Sequence, residues 1–146
     1  MTPALVPALV MDTSVPLAAI LPGPRAEEAG GILGLVAGRG ALVPAHWHLE
    51  LAGSLLAAER RGVLGAAERA AALAHVAALP VLADGETPAR AWGASLGLAR
   101  DYGLAVADAA YLELALRRGL PLASFDPALV RAAELAGARV RSGQQA

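Results

Sequence analysis

Cysteine is absent from the 146-residue chain, and so is lysine. Without cysteine there is no disulfide scaffold, zinc–thiolate site, iron–sulfur cluster or thiol nucleophile. Without lysine there is no P-loop lysine and no Schiff base. All 12 basic residues are arginine, set against 13 acids, for a formal net charge of -1 and a pI near 6.3. That balance argues against sequence-independent wrapping of nucleic acid, but leaves room for an arginine patch or an acidic centre offset by metal ions. Aromatic residues are scarce, at 3%. Long apolar runs are missing as well. Uncharged stretches such as Leu5–Met11 and Gly40–Leu49 fall short of the roughly 20 residues of a membrane span. The N-terminus lacks the basic, then apolar, then cleavable pattern of a secretory signal. The expected location is the cytoplasm, with no membrane partner.

What is abundant is alanine, 37 residues, and leucine, 25, within a hydrophobic share of 56%. This is the composition of a helix-rich, alanine-packed core, and the length suits one domain able to bury it. Leu5–Met11 reads as a strand buried on both faces, ending abruptly in Asp12-Thr13-Ser14. A loop through Pro22-Gly23-Pro24 leads to a helix over Arg25–Ala37, ended by Gly38 and Gly40. Ala41–Val43 is a short strand. Helices follow from His46 to Arg60 and from Ala66 to Ala78, then a strand at Val81–Ala83. Thr87-Pro88 opens a helix reaching Tyr102. The spacing gives a further helix over Asp108–Arg117, a strand over Leu120–Phe125, a helix begun by Asp126-Pro127, and a last strand at Ala138–Val140. Alternating strands and helices predict an α/β fold: a three-layer α/β/α domain over residues 1–141 with a short, mostly parallel central sheet, and a frayed tail over 142–146.

Ligands of parallel sheets gather beyond the carboxyl ends of the strands. Asp12 and Asp126 follow two such strands, so neighbouring strands would bring them to one edge. Asp108 shares a helical face with Leu112, Ala115 and Leu116, and Glu50 lies beside the stripe of Trp47, Leu51 and Leu55. Glu59 and Glu113 show no such inward placement. Inward carboxylates need a partner, a proton or a metal. With no lysine at hand, these four acids suit a hard cation, Mg2+ or Mn2+, as one or two ions that activate water and orient a phosphodiester. Thr13 and Ser14 would support the cluster by hydrogen bonds. The plainer readings stand beside this one: Asp12 as a turn cap, Asp108 as a helix N-cap, Asp126 before Pro127 as an ordinary helix start, and Glu50 returned to solvent by helix tilt.

These segments resemble the PIN-domain ribonucleases, in particular the VapC-type toxins of type II toxin–antitoxin pairs. The resemblance runs from the strand ending in Asp12-Thr13-Ser14 through the helix bearing Glu50. It continues through Asp108-Ala109-Ala110-Tyr111-Leu112 to Pro121-Leu122-Ala123-Ser124-Phe125-Asp126. It implies that Asp12, Glu50, Asp108 and Asp126 are the catalytic and metal-binding acids, with Ser14 and Ser124 at the supporting hydroxyl positions. It also implies Mg2+- or Mn2+-dependent cleavage of single-stranded or looped RNA, a cognate VapB-type antitoxin and a homodimer. The chain departs from the pattern at Gly53, where asparagine is usual, and at Ala105 and Ala107, where polar or larger side chains precede Asp108.

Two other functions stay open. One is a degenerate PIN domain that binds protein or RNA without catalysis. The other is a different metal-dependent phosphohydrolase, although the DxDxT pattern of haloacid-dehalogenase phosphatases is absent after Asp12. His46, four residues before Glu50, lacks a second histidine to complete a zinc pattern and reads as a packed or solvent-facing side chain. Trp47 and Trp92 read as core or interface anchors. Arg60-Arg61 and Arg117-Arg118 are either phosphate contacts or charged helix ends.

Overall fold

The computed structural model describes residues 6–141. Its five strands are β1 (Leu9–Met11), β2 (Ala41–Val43), β3 (Val81–Ala83), β4 (Leu122–Ala123) and β5 (Val140–Arg141). They form one sheet in the order β3-β2-β1-β4-β5, and every neighbouring pair is parallel. Val10 sits centrally, opposite Leu42 on one side and Leu122 on the other. The strands β1, β2 and β4 are buried throughout, as expected of a sheet covered on both faces. The chain leaves β1 toward β2 on one side and returns beside it as β4. That reversal opens a crevice at the carboxyl ends of β1 and β4.

Helices α1 (Ser14–Ile20), α2 (Ala26–Arg39), α3 (Trp47–Arg60) and α4 (Ala66–Ala77) precede β3. After it come α5 (Thr87–Arg90), a π-helical segment (Ala91–Ser95), α6 (Leu96–Tyr102), α7 (Val106–Arg118) and, past β4, α8 (Pro127–Ala136). They flank the sheet to give the three layers. Helix α7 packs across β1 and β4, with α6 and α8 beside it. Met11, Ile32, Leu55, Tyr111, Leu112 and Leu129 fill the core, with Ala29, Ala41 and Ala133 allowing close approach. Among the described residues no helix is long and apolar enough to cross a membrane.

Several boundaries differ from the sequence reading, each for a local reason. The first strand starts at Leu9, beyond Pro7, which has no N–H to donate; Leu5 and the 142–146 tail lie outside the described residues. Helix α1 replaces an expected loop, because Pro16 sits in its first turn, where no N–H is required. Helix α2 runs through Gly38 and ends at Gly40, whose φ of 87° suits glycine. The strand expected over Leu120–Phe125 keeps only Leu122 and Ala123. Beyond them the Phe125 and Asp126 N–H groups turn to the hydroxyls of Ser14 and Ser124, at 2.9 and 3.0 Å. The last strand moves to Val140–Arg141, since Ala138 N–H still closes α8 on the Ala133 carbonyl, at 2.9 Å.

Glu113 corrects the expectation that it is an ordinary outward acid: it is buried. So is most of Arg117, which is therefore not a phosphate contact. Its guanidinium meets Asp84 Oδ2 at 2.7 Å, Glu113 Oε2 at 2.8 Å and Glu86 Oε2 at 3.0 Å. Burial works to raise the Asp84 carboxyl, but hydrogen bonds from Arg117 and the Glu86 backbone outweigh it and hold the group below its ordinary value. The cluster ties α7 to the loop after β3. Arg117→Met strands two buried carboxylates and is expected to cost about 3 kcal/mol at pH 7 by urea unfolding. A depressed carboxyl stabilises above its unfolded pKa of about 3.9 and loses that effect as pH falls through its folded value. The gap between wild type and variant therefore narrows below about pH 4.

Candidate functional site

Asp12 follows β1 directly and is 6% exposed. Its Oδ2 accepts two hydrogen bonds, from Ser14 Oγ at 2.7 Å and from Ser124 Oγ at 2.8 Å. Each hydroxyl spends its one proton on Asp12 and accepts a backbone N–H in return, Ser14 from Phe125 and Ser124 from Asp126. Asp12 N–H closes the ring on the Ala123 carbonyl at 3.0 Å. The carboxylate is thus oriented by β1, α1 and β4 together, and its Oδ1 has no hydrogen-bond partner among the described residues. Thr13, expected to support the cluster, contributes its carbonyl to Leu17 N–H in α1. Its hydroxyl makes no hydrogen bond among the described residues.

Glu50 lies in the first turn of α3 and is half-buried. Tyr111, fully buried on α7, donates its hydroxyl hydrogen bond to Glu50 Oε1. Burial first, then the Glu50 hydrogen bond, push the tyrosine pKa far up, so the phenol stays a donor. His46 stands one turn before Glu50. Its Nε2 donates to the Ala107 carbonyl at 2.9 Å, which fixes the tautomer, and lies 3.5 Å from Glu50 Oε1. The imidazole also meets the Tyr111 ring edge-on, with centroids 5.4 Å apart. Sequence reasoning missed Tyr111 as a site residue. Its signal was its place three residues after Asp108, on nearly the same helical face.

Asp108 is half-buried in the first turn of α7, where Ala105 and not Asp108 is the N-cap. Its pKa is raised, first by burial and then by the charges of Asp126, Asp12 and Glu50, with His46 opposing. The four acids therefore share one electrostatic neighbourhood. Asp126 does what the plainer reading said: it caps α8, its Oδ1 accepting Ala128 N–H at 3.0 Å. Among the described residues no arginine pairs with any of the four. Arg25 lies 4.7 Å over the Phe125 ring, next in sequence to Asp126.

The donor set is all oxygen, and one oxygen of Asp12 is uncommitted, which suits Mg2+ or Mn2+ in chemistry. The geometry is open: among the described residues no three His, Asp or Glu side chains form a ready metal cage. Gly53, Ala105 and Ala107 are all exposed, and none offers a polar side chain.

Ser14→Ala and Ser124→Ala are each expected to lower unfolding free energy by about 1–2 kcal/mol. The double variant should lose less than the sum, because both act on one carboxylate oxygen; urea unfolding of all three decides. Asp108→Asn should raise Tm at pH 7 in EDTA. A carboxyl with a raised folded pKa carries no penalty below its unfolded value and a growing one as pH rises through the folded value. The gain should therefore vanish near pH 3 in a thermal series.

The PIN domain profile matches residues 9–135. Among curated proteins no sequence matches. Ten solved chains match, and three of them illustrate the shared fold. PAE2754 from Pyrobaculum aerophilum has a TM-score of 0.66 at 20% identity, covering 94% of this chain and 92% of that one. VapC20 of Mycobacterium tuberculosis, described as a toxin cleaving the sarcin–ricin loop, has 0.60 at 21%, covering 85% and 94%. FitAcB from Neisseria gonorrhoeae has 0.62 at 18%, covering 94% and 99%. At these identities the likeness speaks to fold alone. The profile covers all four acids, and the chain belongs to the PIN domain family.

Proposed function

We propose that the chain is a metal-dependent endoribonuclease, the toxin of a toxin–antitoxin pair. One observation carries the reading: three carboxylates, Asp12, Glu50 and Asp126, surround Asp108 at the β1–β4 crevice, and among the described residues no arginine pairs with any of the four. A purely structural cluster gains by pairing its acids, as Asp84 and Glu113 do with Arg117. Mg2+ or Mn2+ held by Asp12, Glu50, Asp108 and Asp126 would supply the charge that activates water and stabilises the leaving oxygen.

The chain's own residues prepare that chemistry. Ser14 and Ser124 orient Asp12, Tyr111 holds one oxygen of Glu50, and the Ala128 N–H fixes Asp126. With its raised pKa, Asp108 is the acid most ready to hold or pass a proton. Arginines outside the centre, Arg25 among them, would position the RNA backbone. The toxin reading brings a VapB-type antitoxin and a homodimer as partners. It is supported by the family and by the toxin described for VapC20.

A second reading has its own observation. The absence of a ready three-ligand cage among the described residues, with alanines at positions 105 and 107, favours a noncatalytic module that binds RNA or protein. RNA cleavage by antitoxin-free protein separates the two. Cleavage with Mg2+ or Mn2+, lost in EDTA and in Asp12→Asn, is the expected result. Folded protein that cuts no RNA in a broad cellular pool would turn the conclusion to the noncatalytic module or to another phosphohydrolase.

A further inference from the structure

Three of the four acids divide their two oxygens in the same way. Asp12 gives Oδ2 to two serine hydroxyls and keeps Oδ1 without a hydrogen-bond partner among the described residues. Asp126 gives Oδ1 to the Ala128 N–H and keeps Oδ2. Glu50 gives Oε1 to the Tyr111 hydroxyl, with His46 Nε2 3.5 Å from the same atom, and keeps Oε2.

Two of these commitments have a structural reason. The serines on Asp12 also hold the backbone as it leaves β4, and the Ala128 bond caps α8. The Tyr111 bond does neither. It crosses from α7 to α3, ends no element, and joins a fully buried phenol to a glutamate whose side chain is 31% exposed. Water reaches that glutamate, so the tyrosine is not needed to satisfy it. Phenylalanine would fill the same core space and keep the edge-on contact with His46, with no polar atom to pair. What the hydroxyl adds is the removal of one Glu50 oxygen from use.

We propose that Tyr111 is a positioning residue that discriminates against Ca2+: by occupying Glu50 Oε1 it makes Glu50 a one-oxygen ligand. This inference rests on the metal-dependent reading of the acids. Mg2+ demands a near-ideal octahedron, keeps several waters and takes single oxygens from its carboxylates. Ca2+ accepts roughly six to eight oxygens in flexible arrangements and gains them from carboxylates that chelate with both atoms. A carboxylate with one oxygen held by a hydrogen bond offers only the other. Asp12, Glu50 and Asp126 are all of this kind, a set that suits the smaller ion. Glu50 is the one whose second oxygen a single side chain controls. Asp12 Oδ2 is held by two hydroxyls and Asp126 Oδ1 by the backbone, so the loss of one side-chain group releases neither.

The test is ion competition on the metal-free full chain. Mn2+ binding is followed by electron paramagnetic resonance, with Mg2+ and Ca2+ as competitors, and near-UV circular dichroism reports folding. In wild type, Mg2+ should displace Mn2+ at lower concentration than Ca2+ does. Tyr111→Phe frees Oε1 and should tighten Ca2+ about tenfold relative to Mg2+, the scale of one hydrogen bond to a charged group. A merely structural loosening weakens every ion together and leaves that ratio unmoved. Ser14→Ala, which leaves the Ser124 bond on Asp12, should keep the wild-type ratio. Adding Glu50→Gln to Tyr111→Phe should abolish the calcium gain, because an amide offers a single oxygen. An unchanged ratio in folded Tyr111→Phe overturns the proposal and leaves the metal site standing. So does a wild type that takes Ca2+ more tightly than Mg2+, a result that needs no variant to fold. Folded wild type that binds no Mn2+ withdraws the metal-dependent reading and this inference with it.

Discussion

The structure turns on one carboxylate oxygen. Asp12 Oδ2 accepts one hydrogen bond from a serine two residues ahead and another from a serine just past β4. Both serines return the favour to the backbone of β4 as it leaves the sheet. The same few bonds end one strand, begin α1, set the position of the α8 cap and aim Asp12. Local structure and chemistry are a single arrangement here: neither serine can change its partner without exposing a backbone N–H.

The molecule handles acids in two opposite ways. Around Arg117 three carboxylates meet one guanidinium, and the fork of donors reaches both of the buried ones. Around Asp108 three other carboxylates gather, with only His46 opposing them, and burial of Asp108 adds to their repulsion. Among the described residues none of the chain's arginines forms an ion pair with these acids. Helix α7 carries both arrangements, the unpaired one in its first turn and the paired one in its last. Fixing its far end to the loop after β3 keeps the near end in place against the mutual repulsion of the acids.

Much of this was legible in the sequence, and the losses are instructive. Short apolar runs ending in acids gave the parallel sheet and placed Asp12 and Asp126 on one edge, because strand-end position survives errors of a few residues. Helical periodicity found Glu50 and Asp108 for the same reason. It failed on Glu113, since burial there depends on Arg117 one turn away reaching back to Asp84, a contact spanning the fold. It failed on α1, a stretch read as loop, where Pro16 occupies a first turn. Trp92 shows the opposite error: an aromatic that reads as core or interface is 93% exposed, so the core reading falls away. Tyr111 stands in the segment after Asp108 with no role assigned to it by the sequence, although its hydroxyl is what holds Glu50. A phenol's role depends on what lies across from it, and sequence alone does not show that.

The π segment carries a consequence for how the fold tolerates insertion and deletion. Thr87–Tyr102 is one winding path, α-helical at both ends and over-wide in the middle. A path of that kind holds one residue more than an α-helix of the same rise. Dropping a residue between Ala91 and Ser95 would restore regular winding, at about 100° per residue, and swing α5 around relative to α6 by that angle. Thr87 would lose its hydrogen bonds with Ala45 and Asp84, and Ser95 would turn from its buried place. The extra residue is thus a phase setting between two halves of a helix, and it decides which face each half presents.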